Sequence, residues 1–273
     1  MTPEELRNKY NPEGSDLRRS QLRMLEMLQF IDRVCREHGI DYWLDSGTLL
    51  GAARHQGFIP WDDDTDICMT YEGMLRFKEI MLTHHLSDEF VLQCQETDEN
   101  IVSSWVILRD LKTEAISDAP IHNRYRYKGL NVDIFPVSNE SVGLFHLLSS
   151  LYYKVLVKAP LKEKPLFKYI KFLSPTAYKL FYHVLSPCFR FLSKPFKKNY
   201  YRMTYGCEFP SRRYLADVWP LSRMEFEGCM LSVPGNTDAY LTKMYGNWRQ
   251  MPREDQIQTH HYTIRFLDKP QPR

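Results

Sequence analysis

The sequence has no uninterrupted run of 18 apolar residues, which excludes a conventional membrane-spanning helix. Its first residues, Met1-Thr2-Pro3-Glu4-Glu5-Leu6, lack the basic start and apolar run of a secretory signal peptide. None of the six cysteines (35, 68, 94, 188, 207 and 229) forms a C-x-x-C pair, which argues against a zinc ribbon or a small disulfide scaffold. Reduced, buried thiols in a cytoplasmic protein are the expectation. Charge of one sign is also missing: the formal net charge is +2, so no nucleic-acid partner is expected. Internal repeats and low-complexity linkers are absent as well.

What remains is globular in composition. Of 273 residues, 43% are hydrophobic, 26% charged and 14% aromatic, enough for a sizeable core. Residues 1–15 are polar, hold two prolines and suggest a flexible arm. From Asp16 to Glu37 apolar side chains recur at helical spacing, with His38-Gly39 as a stop. Strands are expected at 42–44, 65–69, 90–94, 104–108 and 130–135, the last ended by Pro136. Residues 71–86 read as a helix facing inward with Leu75, Phe77, Ile80 and Met81. This alternation predicts an α+β fold, a mixed sheet flanked by helices. Residues 144–202 stand apart, with 12 Lys or Arg and one acid, Glu163, and prolines that divide them into short helical pieces. They read as a basic, aromatic helical insertion between a core at 16–143 and a C-terminal part at 203–273. Its apolar runs, such as 166–173 and 189–196, suit either a packed subdomain or peripheral contact with an anionic membrane.

The chemistry concentrates in Asp62-Asp63-Asp64-Thr65-Asp66. In an extended segment Asp62, Asp64 and Asp66 face one side, with alpha-carbons about 6.6 Å apart. Such a row repels itself unless a cation sits in it, and Mg²⁺ or Mn²⁺ suits carboxylate oxygens. An acidic, solvated loop is the competing reading of the row alone. An EF-hand is excluded, because its sixth and twelfth positions counted from Asp62 hold Ile67 and Gly73. Asp133, inside an apolar strand, would complete the set from a neighbouring strand, with a strand-end Asp facing solvent or a turn as the competing reading. The small residues Gly47 and Thr48 allow close backbone approach to a phosphate. Arg54 and Arg109 are candidate phosphate partners, with a structural ion pair as the alternative use.

The segment from Tyr42 to His55, followed by Gly57-Phe58-Ile59-Pro60-Trp61 and the acid row through Ile67, resembles the signature of the LicD family. That family includes bacterial phosphorylcholine transferases and is related to the fukutin-related enzymes that transfer ribitol phosphate. Gly129–Pro136, Phe226-Glu227-Gly228, Val233-Pro234, Tyr240-Leu241 and Tyr245-Gly246-Asn247-Trp248 extend the resemblance over residues 42–248, about three quarters of the chain. Asn247 departs from the acid that often follows the Tyr-Gly pair.

The resemblance implies a nucleotidyltransferase-like fold. Gly47-Thr48 would be its phosphate-side turn, and Asp64, Asp66 and Asp133 its catalytic carboxylates, with Asp62 as a further metal ligand. It also implies a CDP-choline or related CDP-alcohol donor and a hydroxyl acceptor on a cell-surface glycan or glycolipid, with release of CMP. Ribitol phosphate transfer, nucleotidyl transfer and an inert glycan- or lipid-binding module are the alternatives. A choline group would stack on aromatic faces, for which Trp61, Trp105, Trp219, Tyr245 and Trp248 are candidates.

Overall fold

The computed structural model describes residues 3–101, 103–116, 125–158, 174–207, 209–257 and 263–271. The apolar run at 166–173 lies outside them.

Helix α1 (Pro3–Tyr10) leads into α2 (Asp16–His38). The Ser15 hydroxyl caps α2 by accepting from the Arg18 N–H at 3.2 Å, and Gly39 ends it at φ 60°. The expected N-terminal arm is instead helical over α1, with Leu6 buried and the Asn11 amide donating to Gln21 Oε1 at 2.6 Å. Strand β1 (Tyr42–Leu44), α3 (Ser46–His55), β2 (Asp66–Thr70) and α4 (Tyr71–Thr83) follow. Next come β3 (Phe90–Gln93), β4 (Val106–Asp110), β5 (Thr113–Ile116) and β6 (Asn131–Glu140).

The main sheet runs β1-β2-β6-β4-β3, with β2 and β6 parallel and the other pairs antiparallel. Beyond it lie α5 (Gly143–Tyr152), which continues as a π-helix to Lys158, and α6 (Ser174–Leu180). A second π-helical stretch, Phe181–Leu185, joins α6 to α7 (Ser186–Ser193). Strands β7 (Lys197–Met203) and β8 (Arg213–Tyr214) extend the main sheet, so the end of the predicted insertion belongs to the core. The chain closes with α8 (Leu215–Val218), the hairpin β9 (Ser222–Phe226) and β10 (Cys229–Val233), α9 (Thr237–Tyr245) and β11 (Thr263–Phe266), which pairs with β5.

Two further expectations are corrected. Strand β6 runs through Pro136 rather than ending there. Proline has no N–H to give a ladder, and Pro136 sits where β4 stops pairing (Val106 opposite Ile134) and β7 starts (Met203 opposite Val137). On α4 the buried face is Met74 and Phe77, whereas Leu75 is 42% exposed, one position off that stripe. The core joins α2, the sheet, α4 and the C-terminal hairpin in one cluster that includes Trp43, Ile67, Val132, Phe226 and Leu241.

Candidate active site

The acid row is held from several sides. Strand β2 begins at Asp66, so Asp62 to Thr65 form the loop that enters it. The buried Gln21 amide of α2 donates to the carbonyls of Asp62 (2.8 Å) and Ile59 (3.3 Å). The Asp66 N–H donates to the Thr48 hydroxyl at 2.9 Å, and the Asp45 N–H to the Asp66 carbonyl at 3.1 Å. Thr65 is buried; its hydroxyl donates to the Asn131 carbonyl at 3.0 Å, and its carbonyl accepts from the Asp133 N–H at 2.9 Å. Asp66 and Asp133 are therefore register partners on adjacent parallel strands. Residues opposite one another in a sheet project to the same face, so these two carboxylates are neighbours.

Their electrostatics show the crowding. Burial raises the Asp66 carboxyl well above the usual range, and the charges of Asp64, Asp133, Asp45 and Asp62 add to the shift. Asp62 is pushed up to about 8, by burial first and then by the charge and hydrogen bond of Asp64. Asp133 rises to about 6 through burial, opposed by the Arg109 charge and by the Trp105 and Asn131 side chains. Asp62, Asp64, Asp66 and Asp133 thus form one interacting set. Among the described residues, no three Asp, Glu, His or Cys side chains are gathered tightly enough to grip a metal ion as they stand. In kind the set still fits a hard divalent cation, since every donor is a carboxylate oxygen and their mutual repulsion is what a cation would relieve.

Gly47 leaves room for this set. A β-carbon there would lie 2.8 Å from Asp62 Oδ2. The preceding Ser46 takes a left-handed conformation, φ 48°, so the turn into α3 carries backbone strain. Thr48 is buried, with its oxygen engaged by Asp66.

The remaining candidates divide. Arg54 donates to the carbonyls of Trp248 (3.1 Å) and Gln250 (3.4 Å), and burial lowers its pKa. Arg109 donates to Gln93 Oε1 (2.7 Å), the Gly129 carbonyl (2.9 Å) and Asn131 Oδ1 (3.0 Å). Its charge acts on Asp133 from within the protein. The Trp105 ring packs against Phe135 at 5.1 Å and lines a cavity of about 200 Å³. Trp61 meets Tyr10 and His55 edge-on. Tyr245 has 45% of its surface exposed, while its hydroxyl end is enclosed, and burial and the charges of Asp45 and Asp66 raise its pKa. Trp219 donates to the Tyr201 hydroxyl at 3.1 Å and packs on Trp43. Trp248 is buried and donates to Asp238 at 3.1 Å. Trp219 and Trp248 are thus held by Tyr201 and Asp238, while Trp105 packs on Phe135 and Tyr245 stays partly exposed.

Two supports were not singled out from the sequence. Asp45, fully buried before α3, accepts from Tyr240 and pairs with Arg213, whose Nε lies 3.2 Å from Oδ1. Burial would raise this carboxyl, but Arg213 outweighs it and holds it below the usual range. Glu227 sits at φ 50° in the two-residue turn between β9 and β10, where it accepts from Arg18 (2.8 Å) and from the Phe58 N–H (3.2 Å). Its carboxylate lies against Gly57, which pins the loop leading to the acid row. Both lie in segments that carry the family resemblance, Asp45 before a glycine-containing turn and Glu227 in a Glu-Gly hairpin turn.

A family model described as LicD/FKTN/FKRP, nucleotidyltransferase domain, matches residues 39–175, which include every acid of the set. The chain belongs to the LicD family. The lipopolysaccharide cholinephosphotransferase LicD of Haemophilus influenzae is 28% identical over 277 residues, covering 92% of this chain and 98% of that protein. The human ribitol 5-phosphate transferase FKRP is 48% identical over 49 residues, 18% of this chain and 10% of that protein. An uncharacterized Rickettsia typhi protein, RT0683, shares 42% over 60 residues, 22% of this chain and 19% of its own length. In this LicD-family site the mixed sheet and flanking helices accord with the α+β architecture expected.

Proposed function

We propose that this LicD-family chain transfers phosphorylcholine from CDP-choline to a hydroxyl of a cell-surface glycan or its lipid-linked precursor, releasing CMP. The observation that carries this reading is likeness to a cholinephosphotransferase along 92% of the chain, with the acid set gathered at one end of β2 and β6. Likeness to the ribitol 5-phosphate transferase is confined to 49 residues, so it supports a common reaction type more than a common donor.

In this mechanism the acceptor hydroxyl attacks the β-phosphorus, the bond to the bridging oxygen of CMP breaks, and a phosphodiester forms. Phosphoryl transfer asks for positioning and charge neutralisation above all. LicD-type nucleotidyltransferases generally use divalent ions, and Asp64, Asp66 and Asp133, with Asp62, would hold Mg²⁺ or Mn²⁺ here. Such an ion neutralises phosphate charge and favours departure of CMP. Asp133 is the candidate base for the acceptor proton. In the metal-free site burial raises its pKa to about 6 and the Arg109 charge opposes the rise. Gly47 would offer the backbone approach to the donor phosphates, and the aromatic candidates, among them Trp105 and the partly exposed Tyr245, would stack on the transferred alcohol.

The test is a donor screen scored by CMP release, with surface glycans as acceptors. CDP-choline turnover with free CMP supports the reading. CMP found attached to the acceptor replaces it with nucleotidyl transfer, and turnover of CDP-ribitol alone changes the donor. Asp133→Asn retaining near wild-type turnover at saturating Mg²⁺ would remove Asp133 from its role as base.

A further inference from the structure

Helices α5, α6 and α7 are arranged unlike an ordinary helical subdomain. Their inward faces are filled by aromatic rings. Phe145 stacks on Phe189 at 4.5 Å and Tyr152 on Phe181 at 4.1 Å, while Ser149 and Ser193 are buried beside Gly206 and Tyr205. Positions 145, 149 and 152 lie on the buried side of α5. On the opposite side a surface helix normally carries charge. Here it carries leucine: Leu144, Leu147 and Leu151 are 60%, 66% and 59% exposed. On the neighbouring helices Val184, Phe191 and Leu192 are 47%, 69% and 53% exposed. Among the described residues these side chains stand outside the buried core. Clustered exposed apolar groups of this kind mark an interaction surface.

The charge around them identifies the partner. Residues 144–158 and 174–202 hold eight Lys or Arg and no Asp or Glu. Outside 144–202 the chain carries 24 Lys or Arg against 33 Asp or Glu. Lys154, Lys179, Lys194, Lys197 and Lys198 are all exposed. Exposed apolar side chains and exposed lysines in the same two acid-free segments match the boundary between acyl chains and anionic head groups. Among the described residues no helix is long and apolar enough to cross a membrane, so the contact would lie along the surface.

We propose that the outer face of α5–α7 docks this protein on an anionic phospholipid surface. The binding stands on this geometry and composition alone. Its purpose, bringing the acid site to a lipid-linked acceptor, rests on the function proposed above.

The test is co-sedimentation of the full chain with vesicles of phosphatidylcholine alone or mixed with phosphatidylglycerol, at low and moderate salt, without donor or acceptor. Wild type is expected to sediment with the anionic vesicles, less so as salt rises. Leu147→Gln with Phe191→Gln should weaken partitioning about tenfold or more, because each removes an apolar group from the bilayer boundary. Lys194→Gln with Lys197→Gln and Lys198→Gln should also weaken it about tenfold or more. Met230→Gln, at an exposed apolar position on β10, should bind as wild type. No sedimentation with anionic vesicles, equal sedimentation with neutral ones, or unchanged binding by the Leu147/Phe191 variant overturns the proposal. So does concentration-dependent self-association without vesicle binding, which assigns the face to a second copy. Failure of CMP release in the donor screen would leave a positive vesicle result standing, so the two readings fail separately.

Discussion

Replacing Arg213 by Met tests how the C-terminal part supports the turn into α3. Arg213 and Asp45 are 2% and 0% exposed, and the pair is completed by the Tyr240 hydroxyl, which also accepts from the Trp43 indole at 3.2 Å. Removing one member of a buried ion pair strands the other charge and costs about 3–5 kcal/mol. For a domain of this size each kcal/mol lowers Tm by about 2–4 °C, so Arg213→Met should fall about 6–20 °C by calorimetry or circular dichroism. The Arg33–Glu37 pair on α2, 54% and 53% exposed, is the control. Arg33→Met should move Tm by no more than about 2 °C, because exposed helical pairs contribute about 0.3–0.5 kcal/mol. Adding Asp45→Asn to Arg213→Met should recover at least about 1 kcal/mol, since a neutral amide needs no counter-charge. Arg213→Met matching the Arg33→Met control, or no recovery in the double variant, would refute the reasoning.

Gly47→Ala should lower kcat/KM about 10–100-fold with little change in Tm, because the added methyl displaces the Asp62 carboxylate rather than backbone. Glu227 is held below the usual range: burial raises its pKa, but the Arg18 hydrogen bond and charge outweigh that. Its contribution is present above the unfolded pKa near 4.5 and is lost as pH falls through the lower folded value. Wild type should therefore lose urea resistance below about pH 4.5 more steeply than Glu227→Gln. His146, packed on Tyr205, is lowered to about 3 by burial and by Arg202. The unfolded chain binds its proton first, so stability should decline as pH falls from about 6.5 towards 3, less so in His146→Phe. EDTA should abolish CMP release, and Mg²⁺ or Mn²⁺ should restore it; full turnover in EDTA would contradict the role given to the acid set.

The sequence by itself determined the local features. Helix α2 was legible because its apolar period, its Gly39 stop and its length are encoded within one segment. The acid row was legible from spacing, and Asp133 from an acid placed inside an apolar strand. A neighbouring strand was expected for Asp133, but its parallel register with Asp66 appears only in the sheet. Tertiary structure alone decided what depends on distant partners. Arg213 meets Asp45 across 168 positions and Arg18 meets Glu227 across 209, and no local period announces either pair. Five aromatic residues looked alike in the sequence, yet Trp248 is buried and donates to Asp238, half-buried Trp219 donates to Tyr201, Trp61 meets Tyr10 and His55, Trp105 packs on Phe135, and Tyr245 stays partly exposed. Arg109 could have faced solvent, but the carbonyl and amide groups of two neighbouring strands hold it inside. The physical reason is the range of the interactions. Periodicity and turn chemistry act over a few residues and are written along the chain, whereas burial and charge pairing depend on which segments the core brings together.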